Sequence, residues 1–268
     1  VLQVLSALKH RVSRRHVDSW FVGVLCALGT AYYLFEWESK YSVRNWLVWP
    51  LLQVALLTFT FYASFVVAGH ALLRRLVRLD GVPTSERLLQ SMVLGLGVFA
   101  LATYAAGALG LLNGWFASLL PAAMFGAGLW DLPALIRETK QRYAAQRPLS
   151  LGVKVLSGAA TVWGGFMLLL LYLTSLTPNS FNFDAMWYHV PVAQDYARLG
   201  RIVPFYGDNH RAYPHLASFF HTWALLVPGI EQLPVRWMLM LQLEVGAVVW
   251  RLVGAAAVAR YCLKERYV

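Results

Sequence analysis

The side chains able to do chemistry gather in one stretch of this 268-residue chain. Asp184, Tyr188 and His189 stand close together, Arg201 follows Gly200, and a second polar cluster runs Asp208-Asn209-His210-Arg211. A carboxylate among histidines and guanidinium groups can move a proton, hold a metal or bind an anion. The plainest role for Asp184 is a helix cap, with Gly200 closing that helix. His189, His210, His215 and His221 suggest a metal or haem site, yet their spacing includes neither His-Glu-x-x-His nor a Cys-rich pattern. His221 falls in an apolar run, where it can ligate a porphyrin or, more simply, bond a neighbouring helix. Glu244 and Arg251 are charges seven residues apart on one face of another apolar run. Charge is costly there and marks an ion pair, a bundle-facing contact or a functional group. Arg251 or Arg236 would suit a lipid-phosphate headgroup. Gln53, Gln90, Tyr104 and Gln242 suit hydrogen bonds between helices.

The elements that must position these groups are apolar helices. Hydrophobic residues make up 59% of the chain and charged residues 13%, against about 25% charged in an ordinary soluble domain. The apolar residues come in runs of roughly 20, the length that crosses a ~30 Å hydrocarbon core at 1.5 Å per residue. The expected fold is all-α, a polytopic transmembrane helix bundle of about seven spans. The spans are expected near residues 19–36, 46–69, 88–112, 115–130, 154–176, 214–229 and 235–259. Trp20, Tyr32, Tyr33, Trp37, Trp46, Trp49, Trp115 and Trp130 lie near span ends, as interfacial rings do. Gly95, Gly97, Gly107, Gly110, Gly126 and Gly128 suit close helix packing. Residues 132–153 read as a short polar helix or loop.

Charge orients the bundle. Lys9, Arg11, Arg14, Arg15, Arg74, Arg75, Arg78, Arg87, Arg137, Lys140, Arg142, Arg147 and Lys154 flank alternate connections. The intervening ones hold only Lys40, Arg44, Arg198, Arg201 and Arg211. The positive-inside rule therefore places the amino terminus in the cytoplasm and the 177–213 loop outside. One feature strains this: if 214–229 and 235–259 both cross, Arg260, Lys264 and Arg266 land outside. Either 214–229, short and ending at Pro228-Gly229, does not cross normally, or downstream sequence sets the topology. The net charge of +10 sits at the ends of apolar runs, where it meets anionic headgroups. That arrangement excludes a nucleic-acid partner. Cys26 and Cys262 form no disulfide framework or metal spacing.

The 177–213 loop exceeds an ordinary helix–helix link several-fold and is too aromatic for disorder. It is expected to be ordered on the membrane surface. Within it, Tyr188, Val192, Tyr196 and Leu199 share one helical face, and Asp195 and Arg198 lie on others. Pro191 either kinks this helix or marks the start of its regular part.

Asp184-x-x-x-Tyr188-His189-Val190-Pro191, then Gly200-Arg201-Ile202, then Tyr213-Pro214 opening a membrane helix, resembles the first outer loop of the GT-C polytopic glycosyltransferases. These enzymes use polyprenyl-phosphate sugars and include the protein mannosyltransferase and aminoarabinose transferase types. The similarity covers about residues 175–250, continuing weakly through Gly229-Ile230-Glu231 and Arg236. It implies two regions, an N-terminal four-span part over 1–153 and a GT-C-like module over 154–268. It implies a sugar moved from a polyprenyl-phosphate donor to an acceptor at the outer face of a bacterial cytoplasmic membrane. Asp184 then acts as general base on the acceptor. Tyr188 and His189 orient the acid or the donor phosphate, with Arg201, His210, Arg211 and Arg236 as candidate partners of that phosphate. No cofactor is implied beyond the lipid-linked donor, with a divalent metal as an option. The family places this loop after its first span, whereas here five precede it, and its members commonly carry further spans. Together with Val1 in place of Met, this implies a partial chain or a shortened relative. The alternative is a non-catalytic subunit on a GT-C-like scaffold, packed against other membrane protein subunits.

Overall fold

In the computed structural model the chain is described over residues 2–42, 45–76, 82–144, 150–177, 181, 183–204 and 215–262, and every regular element among them is helical. The chain forms two units, Val1–Leu52 and Gln53–Val268. The first carries α1 (Leu2–Lys40), whose stretch Trp20–Glu38 is long and apolar enough to cross a membrane. Trp20, Tyr32 and the other large apolar side chains of that stretch are exposed.

The second unit carries the bundle. After α2 (Val48–Leu76) and α3 (Thr84–Ala108), α4 (Gly114–Gly128) continues through a 3-10 turn, Leu129–Asp131, into α5 (Leu132–Ala144). Then follow α6 (Leu151–Thr174), a π-helical turn (Ala185–His189), α7 (Val190–Leu199), α8 (Leu216–Leu226) and α9 (Leu233–Cys262). Six helical stretches of the described chain have the length and hydropathy to cross a membrane: α1, α2, α3, α4 with α5, α6 and α9. The protein is thus a multi-pass, all-α membrane bundle.

The seventh expected span is the exception. Only Leu216–Leu226 is helical there, about 16 Å at 1.5 Å per residue, roughly half a ~30 Å core. The cause is local. Val227 leaves helical geometry at ψ 123 ahead of Pro228, since proline disfavours the α region in the residue before it. Gly229 then turns the chain at φ 80.

Close approach and aromatic packing hold the interior. A Cβ on Gly95 would lie 2.0 Å from the Phe65 carbonyl oxygen, and one on Gly69 would lie 1.8 Å from that of Ser91. Only hydrogen atoms fit between α2 and α3 at these points. Gly128 similarly admits the Val67 backbone, whereas Gly97 and Gly126 face open space and do not serve packing. Phe61, Phe65 and Phe99 are wholly buried. The Phe61 ring lies tilted against Trp223 at 4.4 Å and Phe65 at 4.5 Å, and edge-to-face with Phe99 at 5.1 Å between ring centroids. This knot binds α2, α3 and α8 together. By contrast, α6 has no buried residue among those described.

The two ends of the bundle differ. Where α2 stops and α3 starts, Arg74 bonds Asp131 at 2.6 Å and Arg87 bonds Glu138. At the other end, backbone bonds dock α7 on the α3–α4 turn: Leu112 N donates to Gly200 O at 2.9 Å and Ile202 N to Gly107 O at 3.0 Å. Val192 and Tyr196 of α7 pack there against Ala106 and Leu112. The amide of Gln53 donates to Gly229 O at 3.0 Å, and the Trp223 indole to Ala117 O at 2.8 Å. The C-terminal end of α8 and the turn after it are therefore tied to this end of the bundle.

Candidate functional site

The 177–213 segment folds as an ordered helical element over its described part, and the positions of its polar groups follow from one irregularity. The N–H of Val190 donates to Ala185 O, five residues back, closing a π-turn. Such turns occur as single wide turns within α-helices and concentrate at functional sites. Asp184 stands at its start with φ −63 and ψ −39, already helical, and its side chain makes no capping bond. The capping role is therefore corrected: a cap needs extended geometry, and the π-turn draws Asp184 into the helix. Its carboxylate is exposed. Gly200 does end the helix, at φ 67, and Pro191 lies in the first turn of α7, where the ring is tolerated.

Downstream of Asp184 lies a histidine cluster. Tyr188 and His189 are half-buried with rings 4.1 Å apart. His189 Nδ1 lies 3.1 Å from the Ser218 hydroxyl, and His215 Nδ1 lies 3.3 Å from the same oxygen. One hydroxyl has one proton to give and can also accept. Satisfying both rings therefore requires Ser218 to donate to one Nδ1 and accept from the other. Burial, with His221 and His215 nearby, pushes the His189 pKa below its ordinary value, and Glu244 and Asp184 pull in the opposite direction. The two carboxylates offset the shift without reversing it.

His221, 1% exposed, bonds Glu244 of α9 through Nε2 at 3.2 Å. The helix-to-helix role expected of His221 is what the structure shows. Glu244 meets a histidine rather than Arg251, for which no bond or ion pair occurs among the described residues. Phe181 sets its ring edge-on to both His221 (6.1 Å) and Trp237 (6.0 Å). Gln242 donates to the Ser175 hydroxyl at 2.6 Å, joining α9 to the end of α6. Gln53 and Gln242 therefore bridge helices as expected, while Gln90 and Tyr104 are exposed and bridge nothing described.

The structure brings Asp184, Tyr188 and His189 together with His215, Ser218, His221 and Glu244. It does not bring the expected cations to them. Arg201 is exposed and bonds no described residue. Arg236 is occupied elsewhere, donating from Nε to Ile230 O at 2.8 Å and from Nη1 to Leu225 O. His210 and Arg211 lie outside the described residues. Among the described residues no group of three His, Cys, Asp or Glu is arranged to hold a metal ion. Ser218 and the pairing of Glu244 with His221 escaped sequence reasoning. Their only sequence signal is a charge and a histidine in separate apolar runs.

Among the described residues the arrangement offers an exposed, unbonded carboxylate at Asp184, the His189 imidazole five residues on, and aromatic rings on a helix docked at the bundle end. That set can take a proton from a bound hydroxyl or amine. No protein-family model, curated protein or solved structure matches the chain.

Proposed function

We propose that this chain is a multi-pass membrane glycosyltransferase of GT-C type, which moves a sugar from a polyprenyl-phosphate donor to an acceptor outside the cytoplasm. One observation carries the reading: Asp184 opens the π-turn exposed, uncapped and unbonded among the described residues, which leaves its carboxylate available to act as a base. The acceptor's nucleophilic atom attacks the anomeric carbon, the bond to the donor phosphate breaks with inversion, and Asp184 takes the acceptor's proton. General-base assistance of this kind is worth ~10²–10⁴-fold. Tyr188 and His189 orient the reacting groups. Arg201 and Arg211, downstream of Asp184 in the same loop, are the cations proposed to meet the charge growing on the departing phosphate.

The short α8 supports the outward orientation. With α8 not crossing, α9 returns to the side of the amino terminus, and its far end, with Arg260, Lys264 and Arg266 in sequence, follows the positive-inside rule. The strain in the charge pattern then disappears.

A second reading has its own observation. The bare surface of α6 suits a non-catalytic subunit that packs against partner helices. Complementation with a glycan readout, comparing wild type with Asp184→Asn at matched membrane level, separates the two. Asparagine keeps the shape and cannot act as a base. Lost transfer supports the enzyme, whereas full transfer with stoichiometric co-purification of other membrane subunits supports the scaffold.

A further inference from the structure

The cations that the histidine cluster lacks meet elsewhere. A cleft of about 500 Å³ between α7, the end of α8 and the start of α9 is lined by Gln194, Ala197, Arg198, Leu225, Leu226 and Arg236. Its volume falls within the usual ~300–1,000 Å³ of ligand sites. It is chemically two-sided. Arg198 and Arg236 supply guanidinium groups and Gln194 an amide, while Ala197, Leu225 and Leu226 supply apolar wall.

Arg236 is held fast for this task. Its Nε and Nη1 are spent on the Ile230 and Leu225 carbonyls, so the plane of the group is fixed, and Nη2 bonds no described residue. Arg198 gives Nη2 to Asp195 at 3.2 Å and is otherwise exposed. Asp195 offsets one positive charge and leaves the cleft with a net cation. The walls end at Leu226, whose carbonyl lies 3.5 Å from the Cβ position of Gly114 at the start of α4. The cleft thus sits at the bundle end, the depth at which lipid phosphates lie against a membrane protein.

We infer that this cleft holds an anionic bilayer phospholipid, with its phosphodiester between Arg198 and Arg236 and its acyl chain along Ala197, Leu225 and Leu226. A soluble anion would leave the apolar wall unused, and a zwitterionic lipid would leave the net cation unanswered. The site is separate from the proposed reaction centre. Asp184 precedes α7, whereas Arg198 lies about 12 Å along that helix from Val190 at 1.5 Å per residue. The assignment does not rest on glycosyl transfer.

The test is native mass spectrometry of the chain in mild detergent, supplied with phosphatidylglycerol and phosphatidylcholine in equal amounts. The wild type should retain phosphatidylglycerol in several-fold excess. Arg198→Gln should reduce that retention roughly fivefold, the effect of one basic residue at an anionic surface. Ala197→Trp, which fills the cleft from the exposed side of α7, should abolish it, and Asp184→Asn should leave it unchanged. Equal retention of the two lipids, or of phosphatidylglycerol by wild type and Arg198→Gln, overturns the inference. So does displacement by inorganic phosphate, which would make this a soluble-anion site. So does preferential retention of undecaprenyl monophosphate, which would assign the cleft to a carrier lipid. If Ala197→Trp fails to fold, Arg198→Gln still decides, because that side chain is 75% exposed.

Discussion

The two ends of the bundle use charge differently: among the described residues the first joins separate helical segments through guanidinium–carboxylate pairs, whereas at the second Arg198 pairs with Asp195 inside α7. At one, Asp131 and Glu138 each meet a guanidinium. At the other, Asp184 and Arg201 bond nothing described, and the buried polar groups are histidines sharing a serine hydroxyl and a carboxylate. Paired charge fixes helices and leaves little to react with. Uncommitted, solvated charge on a docked helix can do work. The contrast marks the first end as a clamp and, on the proposed function, the second as the working end.

If so, the largest effect of any single change should fall on activity at the working end. Asp184→Asn should lower transfer by ~10²–10⁴-fold with no change in melting temperature; a stability loss without an activity loss would erase the contrast. Next comes the clamp. Arg87 is 5% exposed and Glu138 38%, so Glu138→Gln weakens a half-exposed pair and should cost about 1 kcal/mol, read as a lower melting temperature in detergent. Replacing Arg87 by Met in the same chain should recover part of it.

A smaller effect concerns pH. The folded pKa of His189 lies below the ordinary 6.5. The unfolded chain therefore takes up the proton first as pH falls. The stability His189 contributes is full above about 6.5 and is lost as pH drops from there through the lowered value. His189→Gln should flatten that slope, measured as melting temperature between pH 7.5 and 5. The least effect on transfer should come from Asn113, whose side chain caps α4 by accepting from Phe116 N at 3.0 Å. Asn113→Ala should cost about 1 kcal/mol and spare transfer, which would show that the working end tolerates the loss of an ordinary structural bond.

Much of this was legible in sequence because a membrane demands length and apolarity together, so α2, α3, α6 and α9 fall within a few residues of the apolar runs. For 214–229 the charge pattern and the Pro228-Gly229 stop left two readings open, and the structure has the shorter one, α8 ending ahead of Pro228. Asp184 misled as a cap because a π-turn has no compositional mark. The Glu244–His221 pair joins residues on separate helices, and only packing chooses His221 over Arg251. Gly69 went unnoticed beside Gly95, since which glycine faces a neighbour depends on helix rotation.

The π-turn has a further consequence, one of helical phase. Five residues where an α-helix would use four advance the chain by one position, so side chains before Ala185 are rotated by roughly 100° relative to an unbroken helix. Val192 and Tyr196 must point inward to dock α7, which in a regular helix would dictate where Asp184 points as well. The extra residue uncouples the two. The anchoring face and the carboxylate can then be set independently, and deleting one residue between Ala185 and His189 would swing Asp184 away while leaving α7 seated.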